Sequence, residues 1–419
     1  MHQTAIKNDW KKSTLGEKAY EKREIHQITN KKEEFFYLGL EHIEQQNLQL
    51  KNIGSSKNVS SSKKKFKSGD ILFGTLRPYF RKLYRPDFDG ICSTDITVLN
   101  AKKNTNKDFL YYFLASDKFI NYASQVSYGT KMPRASWKIL TKSEWLFPPF
   151  NVQKKIGIIL SNYCKLIEVN KRRIGFLDKI SQSLYQEWFF NFRFPGYKDI
   201  EFENTKLGRI PNHWLAPLHK HIDFLEGPGL RRWQYRKNGI PFLNIRTLIP
   251  NDINLSKVQY LDSREVERSY KHFLLEPLDH VVSSSGTIGR ISTIQEIHLP
   301  LMLNTSIIRM RPKSNKVGTW QLKRFLQSSY FQKQINAFAI GVAQKNYGPL
   351  HLKQMWIVAP DEKTAQLYEK IVEPLEKLIL NLVKQNKNLL KQRDLLLNRL
   401  ILGKIDVSKL DIKMDDEST

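Results

Sequence analysis

Residues 126–149 read VSYGTKMPRASWKILTKSEWLFPP, and residues 339–360 read AIGVAQKNYGPLHLKQMWIVAP. Each joins a glycine-centred, cation-bearing turn to an apolar run that ends at proline. Around them the chain aligns with itself: Phe113-Leu114 with Phe325-Leu326, Ser116 with Ser328, Phe119 with Phe331, Gly129 with Gly341, Leu140 with Leu352, and Pro148 with Pro360. Every pair is 212 positions apart (341 minus 129), without a gap. A fixed offset sustained this far marks a duplicated structural unit. It continues through Lys165-Leu166-Ile167 and Lys377-Leu378-Ile379, then Leu177 and Leu389, then Leu184 and Leu396. Upstream, FFYLGLEHI resembles PFLNIRTLI and Trp10 resembles Trp214 at smaller offsets, so the early loops differ in length. The reading is two copies of one unit, 1–193 and 200–403, followed by an acidic tail, 404–419, expected to lack structure.

Within each copy the texture changes once. The first 150 or so residues carry β-type runs (DILFGTL, DITVLN, HVVSSS, TSIIRMR) punctuated by Gly, Pro and Asn, with short helical patterns between them. That mixture predicts α/β, mixed α+β, globular domains over 1–150 and 200–360. The remainder, 151–193 and 361–403, follows another rhythm. Ile156, Leu160, Tyr163, Ile167, Asn170, Ile174, Leu177, Ser181, Leu184 and Trp188 step alternately by four and three. Adding 212 gives Tyr368, Val372, Leu375, Ile379, Leu382, Asn386, Leu389, Arg393, Leu396 and Leu400. This is the a/d pattern of a coiled coil. A helix over 152–190 spans about 60 Å and leaves its apolar stripe bare unless it finds a partner. The other copy supplies one, which predicts two long antiparallel coiled-coil spacer helices with a globular domain at each end, an internal pseudo-twofold repeat. Pro374 predicts a kink or restart in the second helix.

The 419 residues include 68 Lys plus Arg against 41 Asp plus Glu, a formal charge of +27. The cations are interleaved with aromatics and apolar runs, so they belong to a folded basic protein, for which nucleic acid is the leading partner. No run of eighteen apolar residues occurs and the first ten residues hold no apolar signal region, which points to the cytoplasm. Cys92 and Cys164 are too few for a disulfide framework or a cysteine zinc site.

Catalytic motifs are hard to find. There is no G-x-x-x-x-G-K-[ST] loop and no G-x-G-x-x-G opening a helix. Phe-Pro-Pro-Phe at 147–150 lacks the leading Asn or Asp that an amino-methylating site needs. In PDEK at 360–363, Asp361 reads more simply as a helix N-cap than as a nuclease carboxylate. His213, His219 and His221 have no ligand-like spacing. GTIG at 286–289 reads as a tight strand-to-strand turn rather than an RNA-clamping loop. No catalytic or metal-binding residue is assigned.

What is present suits DNA. The first copy offers Arg77, Tyr79, Arg81, Lys82, Lys131 and Arg134; the second offers Arg231, Arg232, Arg236, Lys237, Ser285, Arg290, Gln344, Lys345, Asn346 and Tyr347. Arg, Lys, Asn and Gln can read base edges, while Lys, Ser and backbone amides hold phosphates. Any one could be a solvated surface group; recurrence at equivalent loops gives the set its weight.

FFYLGLEHIE followed by GDILFGTLRPYFRKLYRPDFDGICSTDITVL resembles the first target-recognition domain of the specificity (S) subunit of type I restriction-modification systems. PPFNVQKKIGIIL resembles that family's central spacer, LGRIPNHW the opening of the second recognition domain, and LLLNRLILGKIDV the end of the distal spacer. The resemblance implies a noncatalytic subunit whose two domains each read half of a split DNA site. It also implies two methyltransferase subunits using S-adenosylmethionine, two restriction subunits using ATP and magnesium, and no cofactor on this chain. A stand-alone nuclease or methylase and an RNA-binding scaffold are the competing readings.

Overall fold

The computed structural model describes residues 9–27, 33–338 and 346–412. The chain divides into two compact units: 1–168 with 387–419, and 169–386.

In unit 1 an antiparallel sheet runs in the order Ala19–Lys22, Ile96–Ala101, Ile71–Gly74, Leu83–Tyr84. Lys11–Thr14 pairs separately with Glu144–Phe147. A five-stranded sheet, in which Phe36–Leu38 lies parallel to Gly90–Cys92, completes the unit. In unit 2 the corresponding sheet runs Ile222–Glu226, Ile307–Pro312, His280–Ser283, Ile291–Thr293, and Leu215–Pro217 pairs with Trp356–Val358. The strand order is the same as in unit 1. The GTIG segment is the connection between His280–Ser283 and Ile291–Thr293, with Gly286 and Gly289 at φ +68° and +78°.

The self-matching positions have a physical job. Helices Lys107–Ala115 and Asp117–Gln125 meet at Ser116, whose hydroxyl donates to the Phe113 carbonyl (2.7 Å) and accepts from the Phe119 amide (3.4 Å). In unit 2, Thr319–Gln327 and Ser329–Phe338 meet at Ser328, bonded to Phe325 (2.6 Å) and Phe331 (3.2 Å) in the same way. One serine therefore ends one helix and caps the next. The phenylalanines fill the cores: Phe113 packs on Phe119, Trp145 and Phe147, and Phe325 on Phe331.

Pro148-Pro149 leads into a helix Phe150–Phe189, and Asp361 leads into Glu362–Ile401, each of 40 residues. Asp361 acts as the predicted N-cap, accepting from the Thr364 amide at 2.9 Å. The restart expected at Pro374 does not occur; the exposed proline sits inside the continuous second helix. Buried neighbours Tyr368, Val372, Glu376 and Ile379 hold the backbone on both sides of it.

In unit 1, Ile156 and Leu160 share a core with Leu397, Leu400 and Ile401, with Leu396 packed alongside. Ile167 is buried, while Leu389 is half-buried. In unit 2, Asn170 Nδ2 donates to Asn386 Oδ1 (3.0 Å), and Trp188 and Phe189 pack on Tyr368 (5.4 and 4.8 Å). Since 170 faces 386 and 188 faces 368, the helices run antiparallel there. Val372, Ile379 and Leu382 are buried, and Ile174, Leu177, Leu184 and Leu375 half-buried. The tail also departs from expectation: Ile405 and Val407 pack into the unit 1 core, and Lys155 Nζ donates to the Ser408 carbonyl at 2.6 Å.

Helix Thr319–Gln327 has only Gly318 at its N-cap, so its first amides need another acceptor. Glu369 supplies it, bonded to the Trp320 (3.1 Å) and Gln321 (2.9 Å) amides. A Cβ at Gly318 would fall 2.1 Å from the Glu369 carboxyl carbon, so a larger residue there has to displace the carboxylate from these amides. Burial raises Glu369 to about 7 from 4.5. The folded form thus binds its proton more tightly than the unfolded form. Its stabilising contribution is complete below about pH 4.5 and lost as pH rises through 7. Buried His280, lowered to about 4 by desolvation, works oppositely: its contribution is present above 6.5 and lost as pH falls through 4. Urea unfolding of wild type and Glu369→Gln in parallel cancels the histidine. The wild-type advantage over the variant is expected to shrink by roughly 3 kcal/mol between the two Glu369 limits. A difference that stays flat with pH rules out this role.

Candidate nucleic-acid interface

In both units the strand that carries the candidate loop ends in the same backbone clamp. In unit 1 the Thr75 amide donates to the Asp95 carbonyl (2.9 Å), and the Ala135 amide donates to the Thr75 carbonyl (3.0 Å). In unit 2 the Ser284 amide donates to the Ser306 carbonyl (2.8 Å), and the Tyr347 amide donates to the Ser284 carbonyl (3.0 Å). Backbone bridges Leu76 to Arg134 and Ser285 to Asn346 continue the match. Residues 126–135 in unit 1 and residues 346–347 in unit 2 are therefore fixed against equivalent strands. Gly129, at φ +97°, makes the first of these turns possible.

The turn in unit 1 is well anchored but poor in free charge. Arg77, itself in the left-handed region (φ +50°), donates from its backbone to the Pro133 carbonyl (2.7 Å) and from its guanidinium to the Lys131 carbonyl (3.0 Å). Arg134 Nε is held by Asp95 Oδ1 at 3.0 Å. Two assigned cations have partners inside the unit: Arg81 pairs with Asp117, with only 14% of its side chain exposed, and half-buried Lys82 donates from Nζ to the Leu40 carbonyl. Arg81 has little surface left to offer a ligand, while Lys82 keeps part of its own. Lys131 remains exposed, flanked by the exposed aromatics Tyr79 and Tyr128.

Unit 2 presents the opposite balance. A cleft of about 700 Å³ is lined by Arg232, Tyr235, Asn244, Ile245, Arg246, Lys257, Gln259 and Ser306. Among the described residues, the side chains of Arg232, Arg246 and Lys257 have neither an ion-pair nor a hydrogen-bond partner. The cleft wall is rigid: Asn244 Oδ1 accepts from the Arg246 amide (3.0 Å) and its Nδ2 donates to the Lys257 carbonyl (2.9 Å). Arg290 reaches the cleft through the Ile245 carbonyl (3.5 Å), and Ser306 joins it to the Ser284 clamp. Close to the cleft, Gly227 lets the chain pass Asn304, whose amide nitrogen would lie 2.4 Å from an added Cβ. Three unneutralised cations around one concavity repel each other until an anion enters.

Arg231 and Lys237 are exposed; Arg236 is exposed but spends its guanidinium on the Trp233 (2.9 Å) and Tyr235 (3.2 Å) carbonyls. Asn346 is exposed. Gln344 and Lys345 lie outside the described residues. Tyr347 is corrected: 1% exposed, it belongs to the hydrophobic core of unit 2, and burial pushes its phenol pKa up. It supports the loop from beneath and has no surface to offer a ligand. Residues passed over include Asn244, Arg246, Lys257 and Gln259, although Asn244 and Arg246 stand in the quoted stretch PFLNIRTLI. A cation two residues after an Asn that could cap a turn was the available signal.

Residues 8–177 match the type I restriction modification DNA specificity domain. The match takes in the sheets and short helices of unit 1 and runs on into the first long helix, leaving out residues 387–419 of that unit. The resemblance drawn from the sequence is supported by relatives along most of the chain. The type I restriction enzyme MjaVIII specificity subunit of Methanocaldococcus jannaschii is 25% identical over 327 residues, 77% of this chain and 76% of that protein. The MjaIX specificity subunit of the same organism is 25% identical over 319 residues, 74% and 71% of the two chains. A solved S subunit of a type I restriction-modification system from M. genitalium superposes with a TM-score of 0.57 at 16% identity, covering 95% of this chain and 97% of that one. At that identity the likeness is one of fold. The specificity domain match ends before unit 2's cleft, so the likeness of the two clamps is what connects the cleft to it. Among the described residues no helix is long and apolar enough to cross a membrane.

Proposed function

We propose that this chain is the noncatalytic DNA-reading subunit of a type I restriction-modification complex, each unit contacting one half of a bipartite site in double-stranded DNA. The long helices act as antiparallel coiled-coil spacers in a pseudo-twofold repeat, setting the separation of the halves and docking two methyltransferase subunits. Two restriction subunits complete the assembly. S-adenosylmethionine, ATP and magnesium belong to those partners, and the compartment is the cytoplasm.

The observation that carries this reading is the recurrence of one loop clamp, Thr75 with Ala135 and Ser284 with Tyr347, in two units of which the first matches a DNA specificity domain. The same scaffold presents different side chains in the two places, as a reader of two unlike half-sites requires.

An exchange experiment tests it. Residues 1–150 are replaced by the corresponding segment of a related subunit, the chimera is expressed with the methyltransferase partner, and methylated bases are mapped across the genome. One half of the methylated sequence is expected to change while the other half and the spacing stay. Unchanged methylation, or a change in both halves together, overturns the assignment.

A further inference from the structure

Trp233 is 74% exposed, more than any other aromatic ring among the described residues. An indole left in water forgoes substantial burial energy, so its position calls for a reason. The ring is not on a loose loop. Its turn, Arg232–Gln234, is held on one side by Gln234, which is buried at 4% exposure. The Gln234 side chain bonds to the Arg231 amide (2.8 Å), Glu265 (2.6 Å) and the Tyr270 hydroxyl (3.2 Å). On the other side the Arg236 amide donates to the Tyr260 carbonyl (2.8 Å), and Tyr235 packs on Phe242 at 5.2 Å. A fixed turn thus holds an exposed indole between Arg232 and Tyr235, two residues that line the cationic cleft.

We propose that Trp233 is a base-stacking wedge: the cleft cations hold the phosphates of the DNA and the indole inserts against a base step within the half-site read by unit 2. This rests on the DNA-reading function proposed above and adds a residue and a physical mode to it. Phosphate contacts fix register without sequence information. A wedge reads the cost of unstacking, which is lowest at pyrimidine–purine steps, and so selects sequence without base-edge hydrogen bonds. An exposed Trp beside Arg could equally anchor a protein surface. Three unpaired cations alongside favour a polyanion.

The test uses the full chain in complex with its methyltransferase subunits and a duplex carrying the methylated site, with 2-aminopurine placed in the half read by unit 2 at positions other than the methylated base, which the methyltransferase itself unstacks. Trp233→Ala is expected to weaken binding about tenfold with the salt slope unchanged, and Trp233→Phe to retain most of the affinity. Wild type is expected to raise the 2-aminopurine fluorescence on binding, and Trp233→Ala to leave it low. Arg246→Ala is the control for the cleft, lowering affinity and flattening the salt slope by about one unit. If Trp233→Ala binds like wild type while Arg246→Ala does not, the wedge is wrong and the DNA-reading function stands. Loss of a methyltransferase subunit with DNA affinity intact would make the ring a protein contact and overturn the proposal. A wild-type complex that fails to bind the duplex removes both readings.

Discussion

Replacing Glu376 with alanine is expected to cost unit 2 about 3–5 kcal/mol, enough to unfold a marginally stable domain. Glu376 is fully buried, and its two oxygens are shared between Lys323 Nζ (2.6 Å) and the Arg324 guanidinium (2.8 and 2.5 Å). Arg324 also reaches Asp178 at 2.8 Å, tying the helix Thr319–Gln327 to both long helices within this unit. Lys323 shows the strain of the site, its pKa lowered by desolvation against the attraction of Glu376. Removing the single carboxylate leaves buried Lys323 without a counter-charge and Arg324 with only the partly exposed Asp178. The cost lies in the broken pair rather than in the pair itself. The triple change Lys323→Met, Arg324→Met and Glu376→Leu is therefore expected to fold with stability near wild type. Asp178, 42% exposed, can return to solvent. Urea unfolding of the two variants decides it: a mild loss in Glu376→Ala, or a collapse of the triple variant, would mean that packing and not charge governs the site.

The second large effect concerns binding. Under the proposed function, changing Arg232, Arg246 and Lys257 together to alanine is expected to lower DNA affinity by roughly a hundredfold at physiological salt. It is also expected to flatten the dependence of log K on log salt by about 2.7 units, close to 0.9 for each lost phosphate contact. Because these side chains have no internal partners, their removal is expected to leave stability within about 0.5 kcal/mol of wild type. The corresponding change in unit 1, Arg81→Ala, behaves in the reverse manner on the same argument, because its partner is Asp117 and not a ligand. Titration of labelled duplex across a salt series checks the cleft directly. Affinity lost without any change of slope would show that the cations shape the cleft rather than neutralise phosphate.

Much of the architecture was legible because it depends on short-range periodicity. The Ser116 and Ser328 caps and the phenylalanines beside them recur because each is demanded by local backbone geometry, and local geometry is repeated whenever sequence is. The alternation of four and three that predicted two long helices is likewise a one-dimensional signal, and the facing asparagines Asn170 and Asn386 fell on it. Candidate contact residues were harder. Arg81, Lys82, Arg134 and Arg232 look alike as letters in basic stretches, yet the first three are engaged within unit 1 and the last is free. Tyr347 sat beside Asn346 in a polar-looking turn and proved to be core.

Composition, offset and helical period are properties of one dimension, so a basic α+β chain that aligns with itself and carries two long helices could be read from the letters alone. Which charges are available to a partner is settled in three dimensions. Asp117 lies 36 residues from Arg81, and Glu376 lies 52 residues from Arg324. Whether a cation meets a carboxylate across such a separation is set by how the sheets and helices pack. A charge pays the cost of leaving water only when that packing brings it a partner.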